Sequence, residues 1–189
     1  MTQSIALVEV NSIAAGVEVL DAMVKVAPVR VIDARPVTPG KYIILVAGDV
    51  SSVESSRTRG VETAGETLID VVFLASPHPQ IFAALSGQVE IPPLDAVGLI
   101  ETFSVAATIL AADAAAKAAG VTLTEVRLAM GLGGKSFVTM LGSVAEVEAS
   151  VAAGSEAARE SGMLVRSVVI PSPHPDAAQK IIRSANVSR

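Results

Sequence analysis

The segment EVNSIAAGVEVLDAMVKVAPVRVIDAR, residues 9–35, returns later in the chain as ETFSVAATILAADAAAKAAGVTLTEVR, residues 101–127. Ten of the 27 aligned positions are identical without a gap, at a constant offset of 92 residues. Chance identity in an alanine-rich chain would give roughly two to four matches, so the chain contains an internal repeat. The identities include a glutamate, an Asp–Lys pair and an arginine, so alanine alone does not explain them.

The repeat extends to the two histidines of the chain, which lie in identical SPHP segments at residues 76–79 and 172–175. The offset grows to 94 at the Gly-Lys of residues 40–41 and 134–135, and to 96 at SPHP. Each step is an insertion of two residues in a loop, where insertions cost little. Prolines flank His78 and His174, and no second ligand stands at metal spacing. The pattern therefore favours surface or interface histidines over a metal or catalytic pair.

Each repeat reads as strand, helix, strand, strand, helix, strand. The predicted strands are residues 5–10, 29–35, 42–47 and 68–74 in the first copy and 96–101, 121–129, 137–141 and 164–170 in the second; the first helices are residues 14–27 and 105–119. N-cap residues precede the helices at Ser12, Ser104, Asp49 and Ser143. This order is a ferredoxin-like double split βαβ. The predicted fold class is α+β, an α/β sandwich of two tandem domains, residues 1–90 and 91–189, with a linker at residues 88–93.

The composition limits the function classes. The 189 residues include no cysteine, which excludes disulfides, thiolate catalysis, zinc–thiolate sites and cysteine-bound iron–sulfur clusters. The net charge is -5 without a cluster of Lys and Arg, so nucleic acid is not an expected partner. The chain shows no signal peptide and no apolar run of membrane-spanning length, so a cytoplasmic protein without membrane contact is expected. The mean hydropathy of +0.57 suits a core plus subunit interfaces.

A glycine-rich segment, AMGLGGKS at residues 129–136, imitates a phosphate-binding loop. Such a loop needs a helix directly after its Lys-Ser, so that a helix N-terminus faces the phosphate. Here Lys135 and Ser136 run into FVTML, which reads as a strand. The aligned segment of the first copy, residues 36–41, lacks the glycines. A glycine-rich turn is therefore favoured, while a P-loop-like nucleotide-binding enzyme and a ferredoxin-like small-molecule sensor stay open as alternatives.

Two charged patterns recur in both copies. Asp21 and Lys25, and likewise Asp113 and Lys117, are spaced i,i+4 on the first helices, which predicts solvated ion pairs worth a few tenths of a kcal/mol. Glutamates end the first strand of each copy, at positions 9 and 101. With no nucleophile or base recurring near them in sequence, a buried or interface hydrogen-bonding role is favoured over an acid/base pair.

The segments AVGLIETFSVAATILAADAAAKAAGVTL (residues 96–123), GSVAEVEASVAAGSEAA (142–158) and VVIPSPHP (168–175) resemble the bacterial microcompartment (BMC) shell domain. ALVEVNSIAAGVEVLDAMVKVAPV, residues 6–29, resembles a second and more divergent copy. Two copies in unpermuted order are similar to the tandem-domain trimer class of that family. The resemblance covers nearly the whole chain and rests on several motifs in the same order in both halves.

The resemblance implies a structural shell protein and no enzyme. Three chains would form a pseudohexameric trimer, and the plates would tile with other shell proteins, hexamers and pentamers, around encapsulated enzymes. It places the lysines of the first helices and the SPHP histidines at the tiling edge: Lys25, Lys117, His78 and His174. It places the loops between second and third strands at a central pore for small metabolites: Val37, Thr38, Pro39, Gly40, Gly131, Leu132, Gly133 and Gly134. Glycine suits such a loop, because it allows close backbone approach and positive φ.

The chain departs from the family pattern at two places. A relative from propanediol-utilisation compartments has cysteine at the position of Thr38, where three copies hold an iron–sulfur cluster. The absence of cysteine excludes that cluster here, and no cofactor or metal is expected. The usual edge signature has arginine two residues before the histidine, where this chain has Ser76 and Ser172. Loss of the guanidinium donors predicts weaker tiling at the edge.

Overall fold

The computed structural model describes residues 3–129 and 131–186, and each repeat has the predicted order of elements. The first repeat contains β1 (Ser4–Val10), α1 (Ile13–Val26), β2 (Arg30–Val37), β3 (Lys41–Gly48), α2 (Val50–Ala64), β4 (Leu68–Leu74) and α3 (Gln80–Ser86). The second contains β5 (Ala96–Thr102), α4 (Val105–Ala118), β6 (Thr122–Arg127), β7 (Ser136–Gly142), α5 (Val144–Glu160), β8 (Leu164–Pro171) and α6 (Pro175–Asn186).

Both sheets have four strands and the same topology. Their orders are β2-β3-β1-β4 and β6-β7-β5-β8, and every paired strand is antiparallel to its neighbour. The register of equivalent strands is also the same, since Glu9 pairs with Asp70 and Glu101 pairs with Arg166. The predicted double split βαβ and the α+β class are confirmed.

Helix starts follow the predicted capping residues. The side chains of Ser12 and Asp49 accept the N–H groups of Ala15 and Ser52 at the starts of α1 and α2. Ser143 and Glu146 form the predicted capping box on α5. Each cap satisfies backbone donors that the first helical turn leaves without an intrahelical partner.

In the first repeat, α1 and α2 pack on one face of the sheet. In the first repeat an apolar cluster joins alternate residues of the central strands to the inner faces of α1 and α2, as the two-residue period of a strand requires. Its buried members are Ala6, Val8, Val10, Val19, Met23, Tyr42, Ile44, Val46, Val53 and Ala64. The small and β-branched side chains that dominate the composition therefore build the core.

Two compact units make up the structure, and each includes pieces of both repeats. One unit comprises Met1–Pro77, Ser104–Ala107 and Leu128–Lys135, and the other comprises His78–Phe103, Thr108–Arg127 and Ser136–Arg189. The first unit thus includes the start of α4 and the glycine-rich loop, while α3 lies in the second unit. The sequence boundary at residue 90 stays a prediction.

Two helices were not predicted from the sequence. Each SPHP segment leads into a helix, α3 in the first copy and α6 in the second. Ile81 and Ala84 are buried on α3, and Gly87 ends this helix in the left-handed conformation. The shortness of α3, seven residues, hides its periodicity in the sequence.

Candidate functional site

The predicted pore residues come together in the first unit. The β2–β3 turn holds buried Val37 and exposed Thr38, Pro39 and Gly40. The N–H of Gly131, in the glycine-rich loop, donates to Thr38 Oγ1 at 3.4 Å. The two predicted loops, one from each repeat, are therefore neighbours.

Close packing of these loops explains one of the glycines. Gly134 has a φ of +87° and is buried. A Cβ on this residue would lie 3.0 Å from Cδ of Pro39, tighter than ordinary van der Waals contact. Glycine at this position therefore allows both the left-handed backbone and the approach of the β2–β3 turn.

A buried ion pair anchors the base of the loops. Lys41 Nζ lies 2.8 Å from Oε1 of Glu9 and 3.5 Å from the carbonyl oxygen of Gly134. The other carboxylate oxygen of Glu9 accepts the Val105 N–H at 2.7 Å. Glu9 is fully buried, so the lysine and the N-terminus of α4 together replace its hydration. The predicted hydrogen-bonding role of Glu9 is confirmed.

The second strands carry one acid–base pair each. Arg35 Nε donates to Asp33 at 2.8 Å, and Arg127 lies 2.5 Å from Glu125. Burial raises the pKa of Glu125, and the charge and hydrogen bond of Arg127 oppose that shift. Removal of the carboxylate from water disfavours its charged form, and this effect exceeds the attraction of the guanidinium. Each pair joins two residues of the same strand.

One predicted edge cluster is assembled within the second unit. Asp113 binds Lys117 Nζ through one oxygen, at 2.5 Å, and accepts the backbone N–H of His78 through the other, at 2.7 Å. The carboxylate is buried while Lys117 stays half exposed. SPHP of the first repeat is thus held against the first helix of the second repeat.

The other two predicted edge residues, Lys25 and His174, are exposed. Lys25 pairs with Asp21 at 2.5 Å, and both side chains are exposed. His174 is 74% exposed, and the acid 3.7 Å from its Nδ1 is Asp176 of its own segment. The ion pairs predicted from i,i+4 spacing are present in both repeats. The second pair is not the solvated pair that was predicted, because Asp113 is buried and also accepts the His78 N–H.

The geometry does not form a nucleotide site. Strand β7 begins at Ser136, so no helix follows the Lys-Ser pair of the glycine-rich segment. Met130 of that segment lies outside the described residues. Among the residues that the structure describes, no group of three or more His, Asp or Glu side chains is placed to hold a metal ion. Within residues 3–129 and 131–186, none of the helices has the length and apolar character to cross a membrane.

Three residues of these clusters were missed by sequence reasoning. Asp70 accepts the hydroxyl hydrogen of Ser104, and Gln80 binds the edge of β6 through its side-chain amide. The third is Asp113, which was read only as an ion-pair partner. Each acts on a residue at least 34 positions away in the chain, so spacing gave no signal. Comparison with the other repeat could have pointed to Asp70 and Gln80, because their counterparts are Arg166 and Asp176.

Comparison with known proteins agrees with this architecture. A family model for the BMC domain matches the chain twice, over residues 4–77 and 96–173. The chain is 42% identical to the bacterial microcompartment shell protein PduT of Citrobacter freundii, over 92% of this chain and 95% of that protein. The bacterial microcompartment shell protein EutM of Salmonella typhimurium is 43% identical over 44% of this chain and 84% of its own length.

Solved structures show the same fold. A microcompartments protein from Desulfitobacterium hafniense superposes with a TM-score of 0.85 at 52% identity, over 95% of this chain and 99% of that one. The fused permuted hexameric shell protein MSM0275 shares the fold with a TM-score of 0.65 at 20% identity, over 84% of each chain.

The chain belongs to the BMC domain family as a two-domain shell protein of bacterial microcompartments. It is similar to PduT of Citrobacter freundii along nearly its full length. These relationships support a structural shell role, and they do not support the nucleotide-binding enzyme or the small-molecule sensor.

Proposed function

We propose that three copies of this chain close into a pseudohexameric plate whose centre is lined by the β2–β3 and β6–β7 loops. The observation that carries the proposal is the unequal burial of two equivalent helices. Ile13, Val17 and Val24 of α1 are 48%, 54% and 39% exposed. Their counterparts on α4 are Val105, Ile109 and Ala116, which are 0%, 0% and 6% exposed.

Exposed apolar side chains are most frequent on α1, while single ones occur elsewhere, at Val50, Phe103 and Val168. Val31 on β2 is also exposed, whereas its counterpart Leu123 on β6 is fully buried. Several exposed apolar side chains on one helix are typical of an interface, since removing them from water is favourable. A second copy offers a matching partner, because its second repeat has the same strand order and register as the first repeat of this chain. A head-to-tail contact of this type generates a ring when the rotation closes, and two repeats per chain make three copies sufficient for six positions.

The pore would be polar and small. Thr38 is exposed at the tip of its turn, and three Thr38 hydroxyls around an axis would present donors and acceptors to small polar solutes. Gly131, Leu132, Gly133 and Gly134 would complete the rim. The protein then acts passively, by the size and polarity of the aperture, and without catalysis or an iron–sulfur cluster.

The edge of the plate would carry the lysine–histidine clusters. Lys117 and His78 meet within one chain through Asp113, and Lys25 would meet His174 of the next copy in the same way. Plates would tile through these clusters with other shell proteins, hexamers and pentamers among them, around enclosed enzymes in the cytoplasm. Serine at positions 76 and 172 lowers the number of donors at the edge, so tiling would be weaker than with arginine there.

The assembly has a direct test. Native mass measurement should give three times the 19.2 kDa chain, and negative-stain microscopy at high protein concentration should show sheets of plates. A single chain or a dimer at all concentrations would contradict the plate.

The pore has its own test, which uses the absence of cysteine in the chain. Thr38→Cys should form one disulfide between two copies of each trimer under mild oxidation and leave the third thiol free. Thr58→Cys, at an exposed position on α2, is the matched control and should stay uncross-linked. Equal cross-linking of both variants would contradict the proposed position of Thr38 at the axis.

A further inference from the structure

One side chain covers the edge of β6. Gln80, the first residue of α3, donates from Nε2 to the carbonyl oxygen of Val121 at 2.9 Å and accepts the Leu123 N–H with Oε1 at 2.7 Å. The amide therefore satisfies two backbone groups on either side of Thr122. Such groups at a sheet edge otherwise bind water or another chain.

The edge of β2 is the same position in the first repeat. Arg30 pairs with Ala47 on β3 as Thr122 pairs with Leu141 on β7. Arg30 and Val31 are exposed, whereas Leu123 is buried. The β2 edge thus presents the backbone pattern that Gln80 binds on β6.

Asp176 is the counterpart of Gln80. Each follows the histidine of its SPHP segment by two positions, and each donates its backbone N–H to Nδ1 of that histidine, at 3.4 Å for Gln80 and 3.3 Å for Asp176. The two segments therefore share a local turn. Asp176 is 89% exposed. His174 is exposed, whereas His78 is half-buried and its N–H is bound by Asp113.

We infer that Asp176 of one copy binds the β2 edge of the next copy, where its carboxylate accepts the Val31 N–H and pairs with the Arg30 guanidinium. The inference rests on the proposed ring of three copies and adds the chemistry of one contact. We call this contact, between the first or second residue of a helix after SPHP and the edge of a second strand, the joint. Within the chain the joint is a neutral amide, which donates and accepts. Between copies it is an ion pair, because aspartate only accepts and the arginine supplies the donors.

A second pair of equivalent positions also differs in charge. Asp70 and Arg166 occupy equivalent places beside Glu9 and Glu101, and Asp70 accepts the hydroxyl of the α4 cap, Ser104. The corresponding cap on α1 is Ser12. Arg166 of one copy would therefore face Ser12 of the next, and an acid at the contact within the chain is replaced by a base at the contact between copies.

Charge exchange tests the joint. Arg30→Asp and Asp176→Arg should each weaken association by about tenfold or more, because each places like charges at the contact. The double variant should recover to within about threefold of the original, since the pair is restored in reverse. Mass photometry at nanomolar concentration gives the dissociation constant. Glu54→Arg, an equal charge change at an exposed site on α2, should leave it unchanged.

The outcomes separate this inference from the ring itself. Trimers of unchanged affinity in both single variants would overturn the Asp176–Arg30 joint and leave the ring standing. A wild-type chain that never associates would overturn the ring. Arg30→Gln keeps a donor without the charge and should weaken association less than Arg30→Asp, so it tests the same point with a milder change in the strand.

Discussion

Helices α1 and α4 are two copies of one element in different surroundings. Both start at a serine cap, both end in a basic last turn, and both carry an Asp–Lys pair at the same place. The outer face of α1 is exposed, whereas that of α4 is buried and consists largely of alanine. The difference teaches that two copies of one element can differ in burial, and this difference is the basis of the proposed contact between chains.

The largest effect is expected from truncating one side chain on each helix. Ile109→Ala should cost about 2–5 kcal/mol of unfolding free energy, because it opens a cavity at a fully buried position. Val17→Ala should change the stability of the isolated subunit by less than about 0.5 kcal/mol. Urea unfolding at several protein concentrations checks this, because the loss in Val17→Ala should appear only where subunits associate. If both variants lost the same unfolding free energy at every protein concentration, the two helices would not differ in the way proposed.

The next effect concerns how closely each helix approaches its neighbour. A Cβ at Gly154 of α5 would lie 2.6 Å from the carbonyl oxygen of Ala111 on α4, and backbone cannot move aside easily. Gly154→Ala should cost about 1–3 kcal/mol. A Cβ at Gly60 of α2 would meet the Met23 side chain on α1 at 2.8 Å, and methionine can change rotamer.

Thermal unfolding of both variants checks this pair. Gly60→Ala should lose less than half the stability lost by Gly154→Ala. A larger loss at Gly60 would mean that α1, and not α4, has the tighter packing.

A smaller effect is expected at the two aspartates. Asp113→Ala should cost about 1–2 kcal/mol, because it leaves the His78 N–H without its acceptor in a partly buried place. Asp21→Ala removes only an exposed ion pair and should cost the subunit less than about 0.5 kcal/mol, yet it should weaken trimer formation. Unfolding free energy and native mass, measured on the same samples, separate the two quantities. If Asp21→Ala lowered the unfolding free energy of the subunit as much as Asp113→Ala does, Asp21 would already have a partner within its own chain. Its proposed role in binding a second copy would then be wrong.

The smallest effect is the pH dependence of the helix that packs beside α1. Hydrogen bonds from Ser52 and Ser51 lower the pKa of Asp49, the α2 cap, to about 2. The folded-state pKa lies below the ordinary value near 3.9, so the stabilisation is complete above that value and is lost as the pH falls towards 2. Asp49→Asn should flatten this part of the unfolding curve, while Ser12→Ala on α1 should lower stability equally at every pH. If Asp49→Asn lost stability at low pH as the original chain does, that loss would come from other carboxylates.

The sequence predicted each repeat well because its signals are local. Serine and aspartate caps, apolar strands and glycine turns lie within a few residues of the atoms they bind, as the Ser143–Glu146 box shows. Helix α3 was missed, because its seven residues make about two turns and give little periodicity. Helix α6 has 12 residues and was also missed, and its length does not explain why. The Asp113–His78 and Gln80–β6 contacts were missed for a different reason, since they join residues that only the folded chain brings together.

The site was predicted through resemblance more than through chemistry. Nothing in the spacing of Thr38 and Gly131 indicates that they are neighbours, because 93 residues separate them. The repeat supplied the missing information, since equivalent loops in a duplicated fold occupy equivalent places. The difference in burial between α1 and α4 was seen only in the structure. Burial depends on neighbours in space, and the sequence pattern does not contain them.

Cysteine cross-linking tests the relation between the two helices most directly. Ser12→Cys with Arg166→Cys places thiols at the counterparts of Ser104 and Asp70, which meet within the chain, and the chain has no other cysteine. Under mild oxidation this double variant should give covalent dimers and trimers on a non-reducing gel, whereas Ser104→Cys with Asp70→Cys should close within single chains. If the Ser12–Arg166 variant stayed monomeric while the other pair closed, the start of α1 would not occupy in a second copy the place that α4 occupies in its own chain.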